Sequence, residues 1–153
     1  MVDPASDVVF EAVSFEATAA GVVETRPHTA EDWLRIRASA MVLAEAPNLL
    51  KMAGRRVVPA TPVPGQESEP PAPGDLLPPE IQTLIDRDRA TFNRHAQALQ
   101  DAALVVLKAI DARDVDALFE SGETLDQACE TCHKKYWYPE GAPLDPSSLS
   151  RRK

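Results

Sequence analysis

Two long amphipathic stretches separated by only four residues constrain this chain more than any other feature. From about Pro79 to about Ala112, Ile81, Ile85, Phe92, Leu99, Val106 and Ile110 recur on one side of a helix. From Asp114 onward, Val115, Leu118, Phe119, Gly122, Leu125, Cys129 and Cys132 do the same, with Asp114 as the cap. The Asp111-Ala112-Arg113-Asp114 link is too short for anything but a tight reversal, so the two helices must pack antiparallel. Two more helices are expected upstream. The first runs from an Asp3 N-cap and Pro4 through Val9, Phe10, Val13, Ala17 and Ala20 to a stop at Gly21. Val8-Val9-Phe10 and Val13-Ser14-Phe15 would also suit a strand. The second begins after Thr29, with Glu31 and Asp32 at the positive end of the helix dipole, and carries Trp33, Ile36, Ala40, Leu43 and Leu50. Pro47 inside it removes a backbone donor and predicts a kink or an early end. No period-two run is long enough to propose a sheet. The expected fold is all-α, an antiparallel four-helix bundle.

Between the second and third helices the periodicity disappears. Residues 53–79 hold most of the chain's 14 prolines and read as a long irregular loop, because such a segment cannot bury enough apolar surface to offset its ordering entropy. Lengthening a loop costs little, and an insertion into the bundle is the expected origin. At 153 residues one domain over 1–153 is expected, ending in a tail over 139–153. A domain this size buries roughly 70% of its unfolded surface, so it needs no disulfide staple. The net charge of −8, with basic residues clustered only at Arg151, Arg152 and Lys153, argues against nucleic acid or an anionic membrane as partner. The first residues show no signal-like pattern and no run of 18 apolar residues occurs, although a removed leader or anchor would leave the same start.

The two cysteines of the chain both fall in Cys129-Glu130-Thr131-Cys132-His133. Cys-x-x-Cys-His is the attachment signature of c-type haem. On a helix the two thiols lie one turn apart, where they can add to two vinyl groups on one porphyrin edge. His133 follows, able to bring its imidazole to the iron. Other chemistries fit less well. A thiol redox pair belongs at a helix N-terminus, where the dipole lowers the first thiol's pKa, whereas this pair sits near a C-terminus. A zinc site needs four ligands, and beyond the motif only His28 and His95 remain. No phosphate loop, Ser-His-Asp pattern or paired catalytic carboxylates occur, so no enzyme activity is expected.

A helical bundle with this motif on its last helix, followed by Tyr136, resembles the class II c-type cytochromes, the cytochrome c′ group. The resemblance is clearest from about Ala98 to Trp137, in Ala-Leu-Gln-Asp-Ala-Ala, Asp-Val-Asp-Ala-Leu-Phe and Cys-Glu-Thr-Cys-His-Lys-Lys-Tyr-Trp. It implies one haem c, held by Cys129 and Cys132 as thioethers with His133 as axial iron ligand, and Lys134 or Lys135 beside the imidazole or a propionate. It also implies that a first-helix residue covers the distal face. Phe10, in Phe10-Glu11-Ala12-Val13-Ser14, would roof the haem without ligating it, leaving five-coordinate iron that binds nitric oxide or carbon monoxide. Alternatively Met41, four residues after Arg37, or else His95, would ligate the iron in a six-coordinate electron carrier.

An electron carrier or gas-binding protein of the bacterial periplasm follows, because haem of this type is attached outside the cytoplasmic membrane. An acidic chain favours a redox partner with a basic patch. The resemblance also implies a homodimer through the first two helices as one form the bundle can take. Gly122, mid-helix and two turns before Cys129, would let a macrocycle or a neighbouring helix approach closely.

Overall fold

A computed structural model of the chain describes residues 1–19, 21–57, 72 and 74–139. Among the described residues five helices and one two-stranded antiparallel sheet follow in the order α1 (Val2–Phe10), β1 (Ser14–Thr18), β2 (Gly21–Thr25), α2 (Ala30–Lys51), α3 (Pro78–Arg87), α4 (Arg89–Ala112) and α5 (Val115–Tyr136). Most of the Pro-rich segment and the tail beyond 139 lie outside the described residues. No helix among the described residues is long and apolar enough to cross a membrane.

α4 is the central element, packed against α2 on one side and α5 on the other, and α1 lies on α2. α2 starts where its sequence dictates. The Thr29 hydroxyl accepts the Asp32 N–H at 3.1 Å, and the Asp32 carboxylate accepts the N–H groups of Thr29 and His28 at 2.8 and 3.0 Å. This capping box satisfies helix donors that have no intrahelical partner. Trp33, Ile36, Ala40 and Leu43 are buried as the stripe predicts. Pro47 does not end the helix, which continues to Lys51 with Pro47 itself fully buried. The turn before it is held from the side, where the Gln100 amide of α4 donates to Ala44 O at 2.8 Å. Tertiary packing here overrides a local breaker.

The long helix expected from Pro79 to Ala112 is two helices. Asp88 interrupts it at φ −143°, ψ 67°, and its carboxylate caps α4 by accepting the Thr91 N–H at 3.0 Å and the Thr91 hydroxyl at 2.5 Å. An aspartate that can bond the backbone three residues on competes with helix continuation. The reversal at 111–114 is as tight as its length requires. Arg113 takes the left-handed conformation at φ 52°, and Asp114 caps α5 by accepting the Ala117 N–H at 3.0 Å.

The first expected helix is the largest departure. α1 ends at Phe10, has Met1 rather than Asp3 as its N-cap, and gives way to a hairpin pairing Ser14 with Thr25 and Thr18 with Gly21. Nearly all hairpin residues are exposed, so no alternation of apolar and polar residues marks it in the sequence. Gly21, at φ +128°, permits the turn. Phe15 anchors the hairpin edge-on against Phe119 of α5, ring centroids 5.6 Å apart.

Two apolar clusters result. The larger joins α1, α2, α4 and α5 around Ile36, Leu43, Val106 and Leu125, with Ala40 and Ala103 letting the helices approach closely. The smaller gathers Ile85, Phe92 and Tyr136 at the junction of α3, α4 and the end of α5.

Candidate functional site

The last two turns of α5 stand between these clusters. Cys129 packs against the edge of the larger and Cys132 against the smaller, and both are half-buried free thiols. Burial pushes the Cys129 thiol up, with the Asp126 and Glu130 carboxylates adding to the effect. Burial, and then Cys129 beside it, pushes Cys132 up to about 11. Both shifts run opposite to the activation a thiol nucleophile needs. Among the described residues no group of three or more His, Cys, Asp or Glu converges to hold a metal ion, so no further ligand completes a zinc site there.

His133 is half-buried beneath a folded-back chain end. Its carbonyl accepts the N–H groups of both Trp137 and Tyr138, at 2.7 and 3.1 Å, which closes the end of α5 and turns the chain over the imidazole. Leu76 N–H donates to Trp137 O at 2.7 Å and pins the turn to the segment entering α3. The Trp137 ring meets the imidazole edge-on at 5.0 Å and the Tyr138 ring sits at 5.9 Å. Tyr138 donates its hydroxyl proton to Glu130 Oε1 at 2.5 Å, and the same phenol oxygen is 3.5 Å from His133 Nδ1. That hydrogen bond pushes the phenol up to about 12 and holds the Glu130 carboxyl below its usual range.

Gly122, Asp126, Cys129 and His133 follow one another at intervals of four, three and four, which places them on one stripe of α5. The Gly122 and Asp126 part of that stripe lines an open groove of about 510 Å³ between the end of α1 and α5, with Val9, Phe10, Val13, Leu118, Glu120 and Glu123; Cys129 and His133 lie beyond its lining. Phe10 forms the wall opposite Gly122, its Cδ1 3.9 Å from where a Cβ on that glycine would lie. The chain matches no known family model, no curated protein and no solved structure.

The other sequence candidates are distributed differently. Met41 lies on an exposed flank of α2 and does not line the groove. His95 sits on α4 with its ring edge-on to Tyr136 at 5.8 Å, and burial lowers its pKa. Arg37 pairs with Asp111 at 2.8 Å, tying α2 to the end of α4. Lys134 reaches Glu130 at 3.4 Å, and Lys135 lies over the Tyr136 ring at 5.8 Å.

Sequence position alone does not mark Glu130, Trp137 and Tyr138 as site residues. The signal that points to two of them is the run Tyr136-Trp137-Tyr138 shortly after the motif, three of the chain's eight aromatic residues in consecutive positions. A charged cleft of about 400 Å³ at the far end of α2 brings Lys51, Arg55, Arg56 and Arg89 around Asp86, a local positive region on an acidic chain.

Proposed function

We propose that this chain is a c-type cytochrome carrying one haem c, with Cys129 and Cys132 as thioether residues and His133 as the axial iron ligand. In this reading α1, α2, α4 and α5 make up an antiparallel four-helix bundle of the class II kind. The observation that carries it is the pair of free thiols one turn apart on α5, followed directly by His133, with a groove beginning one turn earlier on the same helix at Asp126.

The residues present fit such a group in three respects. The thiols are unpaired, so each S–H is free to add across a vinyl double bond, sulfur to one carbon and hydrogen to the other. The groove adjoining the motif along α5 has a volume within the range of cofactor sites, with Glu120, Glu123 and Asp126 beside its apolar residues. Gly122 has no positive φ and, among the described residues, a Cβ there would meet only Phe10, at ordinary contact distance. Nothing in that packing accounts for a mid-helix glycine that costs about 1 kcal/mol relative to alanine. A flat group lying against α5 would account for it.

Haem supplies one-electron exchange at iron and an open position for nitric oxide or carbon monoxide. Val9, Phe10 and Val13 of the α1 side give the groove apolar residues, while Glu120, Glu123 and Asp126 of α5 give it acidic ones. The exposed position of Met41 on the flank of α2 supports five-coordinate iron over ligation by that residue. A periplasmic address follows from the attachment chemistry, and the acidic surface favours a partner with a basic patch.

Expression with a haem-maturation system tests the reading. The expected product carries the added mass of one haem and gives a broad, high-spin reduced spectrum that changes with carbon monoxide. Only apoprotein would overturn the proposal as a whole. Sharp, split low-spin bands would overturn the open distal side, and their loss on Met41→Ala would assign the ligand.

A further inference from the structure

We infer that Tyr138 and Glu130 form a hydrogen-bond relay that fixes the His133 ring tautomer, with the proton on Nδ1 and the lone pair on Nε2, and thereby set the donor strength of His133 toward iron. The consequence at iron rests on the haem reading; the relay itself does not. A phenol has one proton to donate, and Tyr138 gives it to Glu130 Oε1 at 2.5 Å. Toward His133 Nδ1, 3.5 Å away, the phenol oxygen can therefore only accept, so a hydrogen bond closed between the two is donated by the imidazole from Nδ1. A neutral imidazole with its proton on Nδ1 presents a free lone pair at Nε2, the form a metal takes.

The relay is built rather than incidental. Glu130 lies one turn before His133 on α5 and is itself steadied by Lys134, 3.4 Å from its other oxygen. Tyr138 is brought back over the imidazole because its own N–H and that of Trp137 both bond to His133 O. Trp137 O in turn accepts from Leu76, which fixes the turn to the segment entering α3. The phenol is thus positioned by backbone contacts and the carboxylate by its place on the helix. A carboxylate behind a phenol makes that phenol a stronger acceptor, and the ring it meets a more electron-rich ligand. Such a ligand favours ferric over ferrous iron. Tyr138 is a positioning residue, acting only through His133.

The full chain tests this with and without haem. In haem-free protein, ring ¹⁵N shifts of His133 recorded well above the imidazole pKa should report the Nδ1–H form, and Tyr138→Phe and Glu130→Gln should each move the population toward Nε2–H. In the haem-loaded protein both variants should raise the reduction potential and lower the iron–histidine stretching frequency. An unchanged far-UV circular dichroism spectrum in both variants separates these effects from loss of the fold. If haem attaches and both variants leave the tautomer and the stretching frequency unchanged, the relay is wrong and the haem reading stands. If haem does not attach, the haem reading falls and the ¹⁵N shifts of the free chain still decide the relay.

Discussion

The two ends of α5 are finished in different ways. Toward its start, Leu118 and Leu125 enter a cluster sealed by α1, α2 and α4, where Ala40, Leu43, Ala103 and Val106 leave no access to water. Toward its end, the smaller cluster of Ile85, Phe92 and Tyr136 is bordered by half-buried thiols. It also holds a buried Tyr136 hydroxyl with no hydrogen-bond partner among the described residues. Buried polar atoms without partners are rare in completed cores because each carries its full desolvation cost. The first end is held by its own side chains, while the second retains groups that the described chain does not satisfy. The Cys129-Glu130-Thr131-Cys132-His133 motif lies at that second end.

The greatest loss should come at the sealed end. Leu125→Ala should lower stability by about 2–5 kcal/mol, since it empties a fully enclosed site among helices that cannot collapse onto it. Ile85→Ala, in the smaller cluster, should fall at the low end of that range. Urea denaturation of both variants checks the difference, and equal losses would remove the contrast between the two ends. Next, Tyr136→Phe should stabilise the haem-free chain by about 1 kcal/mol by removing the unpartnered hydroxyl while keeping the ring against Phe92. A loss of stability instead would mean that the hydroxyl has a partner in solution.

Gly122→Ala should act in opposite directions on the free and loaded protein. Without haem, alanine should add just under about 1 kcal/mol, because its Cβ meets only Phe10 among the described residues and the helix interior favours it. With the maturation system, the same methyl should reduce haem loading, read as the ratio of holo to apo mass. Stabilisation without any change in loading would separate the groove from the attachment site.

Much of this was legible in the sequence. The stripes of α2, α4 and α5, the helix start after Thr29, the Asp114 cap and the reversal at 111–114 are local signals, and packing reinforces them. The hairpin at 14–25 was not, because its strands are exposed and carry no periodicity. Nor was the break at Asp88, where a side-chain cap outcompetes an apolar stripe that continues on both sides. At the site, Cys129, Cys132 and His133 were marked by spacing alone. Tyr138 and Glu130 were not, since their meeting depends on two hydrogen bonds to one carbonyl after the helix ends.

The weakest response is expected at the break between α3 and α4, which aligns the smaller cluster. Hydrogen bonds from the Thr91 hydroxyl and N–H hold the Asp88 carboxyl below its ordinary value of 3.8. Because the folded-state pKa is depressed, the cap's contribution is fully present above the unfolded value and is lost as pH falls below about 4 through the folded one. Asp88→Asn keeps a side-chain acceptor for Thr91 N–H but cannot ionise. Wild type should therefore exceed Asp88→Asn in melting temperature at about pH 6, and the two should converge as pH is lowered toward about 2. A gap that persists at low pH would assign the difference to amide geometry rather than to charge. A cap exposed to water acts weakly, so its loss should loosen the α3–α4 junction and the small cluster before the sealed core responds.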